Sequence, residues 1–120
     1  MNRDDFFAVE GESLHVIAST LNDTQAILSK GLAVSVTGII TDAESALKRY
    51  EALVRISILP NGVKKRTFEA IKGRGLDTLA ESLNARQREL PRATITVVRP
   101  ITSVQTKGLA DAVLFMIDFR

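Results

Sequence analysis

The closing segment ADAVLFMIDFR, residues 110–120, constrains the fold more than any other part of the chain. Its β-branched and aromatic residues favour a strand, and apolar side chains alternate onto both sides of it. One face would carry Val113, Phe115, Ile117 and Phe119, and the other Ala112, Leu114 and Met116. A strand with two apolar faces must be covered on both sides, either by helices of the same chain or by another subunit.

Length and composition are those of an ordinary folded protein. The chain has 120 residues, of which 45% are hydrophobic and 25% charged. A chain of this length can bury roughly two thirds of its unfolded surface, which is enough for a core. We therefore expect a single domain spanning residues 1–120.

Several classes of protein are disfavoured by what the sequence lacks. Cysteine is absent, which excludes disulfides, thiolate metal sites and thiol nucleophiles. The start, MNRDDFFAVEGE, has acidic residues where a signal peptide has basic ones. The longest apolar runs, such as residues 112–117, are far shorter than the roughly 20 residues that cross a bilayer. We expect a protein made and used inside a cell, with no membrane partner.

Hydrophobic periodicity predicts the strands and their connections. LAVSVTGII (32–40) and ALVRISIL (52–59) are predicted strands. Asn61-Gly62 is a preferred type I′ hairpin dipeptide, so a return strand over 63–71 is expected. ATITVV (93–98) is a further strand, and a polar loop separates it from the closing strand.

Helical spacing of apolar residues predicts two helices, and a third segment is ambiguous. The first helix lies around 12–22, and the second, long and amphipathic, spans 76–90 and ends at Pro91. Over 42–50, Thr41 and Glu44 match a capping box for a short helix, but a hairpin excursion is the alternative. We see no repeat at a fixed period.

These elements predict an α+β fold. We expect a mixed or antiparallel sheet of four to five strands, with an N-terminal helix and one long amphipathic helix packed on it.

The basic stretch ILPNGVKKRTFEAIKGRG, residues 58–75, is the candidate interaction arm. Its relevant side chains are Lys64, Lys65, Arg66, Phe68, Lys72 and Arg74. Its glycines lack the spacing of a phosphate-binding loop, and no GxGxxG motif is present. The arm is either a solvated hairpin or a contact to nucleic acid or to an acidic protein surface. A net charge of +2 provides no general attraction to nucleic acid.

No arrangement of residues predicts catalysis. His15 is the single histidine and has no acidic partner in evident register, and Ser13 lies two residues away, on another side of a helix. The carboxylates are accounted for by helix caps, helix dipoles and strand ends. We therefore expect no enzyme, no cofactor and no metal site.

A nucleic-acid-binding protein is the alternative class. The order of strands, hairpin and helix is compatible with a barrel of the OB type, which grips single strands with basic and aromatic side chains. Phe68 is the only aromatic residue in the basic stretch, and tryptophan is absent. Stacking capacity is therefore thin.

The element order from Ile17 onward, with LAVSVTGII, EALVRISILPNG, an amphipathic helix and a closing pair of strands ending in LFMIDFR, resembles the tail terminator proteins of long-tailed bacteriophages. The resemblance implies a ring, usually of six subunits, that caps the finished tail tube and offers a docking face to the head connector. It implies a protein located in the host cytoplasm during assembly and then in the virion. Under this interpretation the basic arm docks on the tube or a neighbouring subunit. The apolar closing strand would supply the subunit interface through Leu114, Phe115, Met116, Ile117 and Phe119.

Overall fold

The computed structural model describes residues 1–42, 49–103 and 111–120 and shows an α+β protein. Its elements are β1 (Phe6–Gly11), α1 (Leu14–Ile27), β2 (Leu32–Asp42), β3 (Arg49–Ile58), β4 (Lys65–Gly73), α2 (Gly75–Glu89), β5 (Ala93–Ser103) and β6 (Asp111–Phe119). The amphipathic helix expected over 76–90 is confirmed as α2. The segment 43–48, most of the ambiguous region over 42–50, lies outside the described residues, and the strands on either side of it pair with each other.

The strands form two separate antiparallel sheets, so the expected single sheet of four to five strands is wrong. Sheet A has the order β1-β3-β2, and sheet B has the order β4-β6-β5. The expected N-terminal helix is also preceded by a strand, because β1 pairs along β3 from Phe6 opposite Arg55 to Gly11 opposite Tyr50.

The hairpin expected at Asn61-Gly62 does not form between β3 and β4. The Val63 N–H donates to the Pro60 C=O at 3.0 Å, and Gly62 has a φ of 84°, so a tight turn is present. The turn connects the two sheets, because β4 pairs with the closing strand β6. A turn dipeptide determines only the local backbone, whereas burial of Phe68 against the rest of the core determines where β4 lies.

The chain consists of two halves with the same order of elements, β-α-β-β, and the same order of strands in the sheet. A shift of 62 positions takes Gly11 to Gly73 and α1 onto α2, and a shift of 61 takes β2 and β3 onto β5 and β6. The register agrees as well, since Phe6 pairs with Arg55 and its equivalent Phe68 pairs with Met116. The expectation of no repeat is therefore corrected: a βαββ unit occurs twice.

The helices carry the clearest sequence trace of this repeat. Identical residues stand at equivalent positions in α1 and α2 and in the residue after each helix: Leu14 and Leu76, Ala18 and Ala80, Leu21 and Leu83, Asn22 and Asn84, Gln25 and Gln87, and Leu28 and Leu90. The two glutamines form equivalent hydrogen bonds in the two halves. Gln25 donates to the Leu32 C=O and Gln87 to the Ala93 C=O, so each ties its helix to the start of the next strand.

The core has two buried clusters, one on each face of sheet B. On one face, Phe115 and Ile117 pack with Leu79 of α2. On the other face, Phe68 and Leu114 join a cluster that contains α1 and the inner face of sheet A. Sheet B is therefore covered on both sides by its own chain.

Candidate functional site

The closing strand is the centre of sheet B, between β4 and β5. Leu114, Phe115 and Ile117 are buried, and Met116 and Phe119 are half-buried. The structure thus places the residues proposed as a subunit interface in the interior, and the two apolar faces are covered by helices and strands of the same chain. The reason for expecting a partner over this strand no longer holds.

The candidate interaction arm is the strand β4 with its flanking residues, and it does not form one basic surface. Arg66 and Phe68 are buried in it. The exposed cations fall into two groups, Lys64 with Lys65 at one end of the strand and Lys72 with Arg74 at the other. At about 3.3 Å per residue, the groups are roughly 25 Å apart.

Arg66 is a structural cation that joins sheet B to sheet A. Its guanidinium donates twice to the Asp118 carboxylate, at 2.7 and 3.1 Å. It also donates to the Val34 C=O at 3.0 Å and to the Ser35 hydroxyl at 3.2 Å on β2. Because its donors are paired inside the chain, Arg66 is not available to a phosphate or to another protein.

The two residues considered for catalysis, Ser13 and His15, lie at the start of α1. His15 is exposed on α1, and the Ser13 hydroxyl accepts a hydrogen bond from the Val16 N–H as the N-cap of that helix. Within residues 1–42, 49–103 and 111–120, no group of three or more His, Cys, Asp or Glu side chains could hold a metal ion.

One cluster of charged groups, between α2 and β4, is also structural. Arg86 donates to both carboxylate oxygens of Glu69 at 2.8 Å and to Glu89 at 2.8 Å. These hydrogen bonds raise the pKa of Arg86 above its usual value, since they stabilise the charged guanidinium. The cluster links α2 to strand β4 of sheet B.

In the part of the chain that the structure describes, two surfaces expose large apolar side chains. The first is the outer face of sheet A, opposite α1. We call it the open face of sheet A, and its residues are Phe6, Ala8, Thr37, Ile40 and Leu53. Phe6, Ile40 and Leu53 are exposed by half or more of their surface. Two charged side chains border these apolar residues: Arg55 lies 5.4 Å from the centre of the Phe6 ring, and Glu51 lies opposite Ile40.

The second uncovered surface lies on α2, beside the face that carries the buried Leu79. Leu76, Ala80 and Asn84 are four residues apart and therefore form one stripe, which we call the outer stripe of α2. All three residues are exposed. The open face and the outer stripe lie on different halves of the chain.

Sequence reasoning missed both surfaces, although each leaves a signal. Leu53 interrupts the polar side of β3, between Glu51 and Arg55, where an ordinary solvated face would be polar throughout. Leu76 is an apolar residue in the first turn of α2 that is not packed against sheet B. These signals become informative only once the repeat is known, because the repeat shows what the equivalent residues contact in the other half.

Comparisons with protein-family models, with curated proteins and with solved structures give no significant match to this chain. Among the described residues, neither helix is long and apolar enough to cross a membrane.

Proposed function

We propose that this protein is a structural assembly subunit that associates with copies of itself, in the manner of a ring-forming tail terminator. The proposal keeps the function suggested by the resemblance but moves the subunit contact away from the closing strand. The contact is made by the open face of sheet A and the outer stripe of α2.

One observation supports self-association above all: two apolar surfaces are exposed on different halves of a chain with an otherwise well-covered core. Phe6 is 57% exposed, Leu53 50% and Leu76 63%. Exposed apolar side chains grouped in this way are typical of protein–protein contacts. Because the two surfaces differ, a contact between them is heterologous and forms a ring when its rotation closes.

The role on a phage tail is the further part of the proposal. A closed ring, of six copies if it follows the resemblance, would cap the tail tube and present one face to the head connector. The exposed lysines at the two ends of β4 would then lie at the rims of the ring, where tube and connector proteins dock. The subunit acts by shape and by burying surface, without chemistry.

The first test is the oligomeric state of the purified chain, measured by mass photometry and by light scattering over a range of concentrations. We expect a discrete assembly larger than a monomer. Leu53→Asp should shift it to monomer, because a carboxylate in a buried apolar contact costs several kcal/mol unless it is paired. The monomer itself should stay folded, since Leu53 is exposed in the single chain.

Ile27→Glu is the matched control. Ile27 is an exposed apolar residue outside both surfaces, and its equivalent in the second half is Glu89. This variant should assemble as the wild type does. A wild-type chain that remains monomeric at all concentrations and does not bind isolated tail tubes in electron micrographs would contradict the proposal.

A further inference from the structure

We propose that the contact between two copies repeats the contact between the two halves inside one chain, with the outer stripe of α2 of one copy covering the open face of sheet A of the next. The inference rests on the proposed self-association and specifies its geometry. It commits to one partner, a second copy of this chain.

The internal contact supplies the template. Its helical side is the stripe Leu14, Ala18 and Asn22 of α1, and its sheet side is the face of sheet B that carries Phe68 and Leu114. Both the nitrogen and the oxygen of the Asn22 side-chain amide form hydrogen bonds with the backbone of Phe68. The amide donates to the Phe68 C=O at 2.8 Å and accepts from the Phe68 N–H at 2.7 Å. The side chain thereby pairs the outer edge of strand β4 as a neighbouring strand would.

Three apolar parts of this contact have exposed equivalents in the other half, whereas Met116 and Ala112 correspond to the charged Arg55 and Glu51. Leu14 is 2% exposed and its equivalent Leu76 63%; Phe68 is 1% exposed and its equivalent Phe6 57%; Leu114 is 1% exposed and its equivalent Leu53 50%. The buried members belong to the internal contact, and the exposed members belong to the outer stripe and the open face. The chain therefore carries both sides of a second contact of the same kind, with neither side occupied.

The two halves are arranged head to tail, which leaves the outer stripe of α2 and the open face of sheet A exposed. Helix α1 packs against its own sheet and against β4 and β6 of the other half, whereas α2 packs on β4, β5 and β6. Among the described residues, α2 makes no comparable contact with sheet A. A two-fold arrangement would have satisfied both contacts at once, but a head-to-tail arrangement leaves one helix and one sheet face for the next copy.

Asn84 and β1 have the groups needed to repeat the backbone clamp. Asn84 is exposed at the position equivalent to Asn22. In β1 the Asp5 C=O faces β3, where it accepts from the Ile56 N–H at 2.9 Å. Backbone groups alternate along a strand, so the N–H and C=O of Phe6 point to the outer edge. The Asn84 amide of one copy can therefore bind Phe6 of the next as Asn22 binds Phe68.

The charged end of the internal contact is not repeated. Asp4 stands at the position of Arg66 and pairs with Arg55 of its own half at 2.8 Å. The contact between copies therefore lacks the two hydrogen bonds that Arg66 donates across the halves, to the Val34 C=O and the Ser35 hydroxyl. It should be broken more easily than the internal contact, so that dissociation releases folded chains.

The absence of native cysteine makes cross-linking a direct test. We would introduce Asn84→Cys and Phe6→Cys together and treat the protein with a short bismaleimide. Each copy then has one thiol on either side of the contact, so denaturing gels should show a ladder of covalently linked copies. Either single variant should give almost no ladder.

A second measurement does not depend on introduced thiols. Asn84→Ala should weaken association by roughly tenfold, the effect of losing one or two hydrogen bonds, and leave the unfolding of the monomer unchanged. Asn22→Ala should instead lower the stability of the monomer.

The outcomes separate the inference from the proposed function. An 84–6 double variant that still assembles but gives no ladder, or an Asn84→Ala variant that associates as the wild type does, would overturn the inference and leave self-assembly standing. A ladder from a protein that never caps tail tubes would support the contact and contradict the role on the tail.

Discussion

At the scale of single residues, a basic side chain in this sequence can have either of two unrelated roles. Lys65 and Arg66 are neighbours and look alike in a count of charges. Alternation along β4 turns them to opposite faces, however, and Arg66 is 5% exposed while Lys65 is exposed. The same alternation places Asp118 beside Arg66 across the β4–β6 pairing. Sequence reasoning could see the charges, but the pairing of distant strands decides which charge is buried.

Removing one member of the buried pair should be costly. Arg66→Ala leaves the Asp118 carboxylate buried without its partner and should lower the free energy of unfolding by about 3–5 kcal/mol, measured by urea denaturation. The double variant Arg66→Met with Asp118→Leu should recover most of that loss, because apolar residues can fill the same space.

Lys65→Ala is the adjacent control and should change stability by less than about 0.5 kcal/mol. If Arg66→Ala and Lys65→Ala were equally mild, Arg66 would not be the buried link between the two sheets.

At the scale of elements, both halves have the same close approach between the first strand and the helix that follows it. A Cβ added at Gly11 would lie 2.8 Å from Val16 Cγ1, and a Cβ added at Gly73 would lie 2.9 Å from Thr78 Cγ2. Glycine at both positions lets each strand end directly against the first turn of its helix. The repeat is thus visible in the packing as well as in the order of elements.

Gly73→Ala should lower the free energy of unfolding by about 1–3 kcal/mol, since the added methyl group overpacks this junction. Thermal or urea unfolding measures the loss, and adding Thr78→Ala should restore part of it. Gly38→Ala is the control, because no atom lies within 4 Å of a Cβ added there. Equal losses for Gly73→Ala and Gly38→Ala would contradict the close packing at the junction.

Elements with a strong pattern could be predicted from the sequence. The amphipathic helix α2 and the strand β6 with its two apolar faces are such cases, and both lie where the spacing of apolar residues predicts them. Strand β1 was missed because Phe6–Gly11 is short and ends in Glu10 and Gly11, which are weak strand formers. Its existence depends on pairing with β3, which lies about forty residues further along the chain.

The partner of each strand could not be predicted from local signals. The Asn61-Gly62 turn predicts a hairpin, but β3 pairs with β1 and β2 while β4 pairs with β6, so the turn only connects the halves. The repeat was detectable, since LNxxQxxL occurs in both helices at Leu21 and Leu83. Its function as a template for packing becomes visible only when burial of the equivalent residues is compared.

At the scale of the whole molecule, the exposed cations of the arm are divided between the two ends of β4. We expect no binding of single-stranded oligonucleotides near 0.15 M salt in a fluorescence anisotropy titration, because the exposed cations of the arm lie at opposite ends of β4. The pair Lys64→Ala and Lys65→Ala should leave any weak signal at low salt nearly unchanged. Tight binding that weakens steeply with salt, with a slope reduced by these substitutions, would favour the nucleic-acid alternative.

The duplication inside the chain also has a consequence for symmetry. If neighbouring copies contact each other as the halves do, a ring of n chains contains 2n similar βαββ units, in which the first and second halves alternate. Such a ring can match a partner of n-fold symmetry through its differences and a partner of 2n-fold symmetry through its likeness. A single gene product would then be able to join two cylinders whose subunit numbers differ by a factor of two.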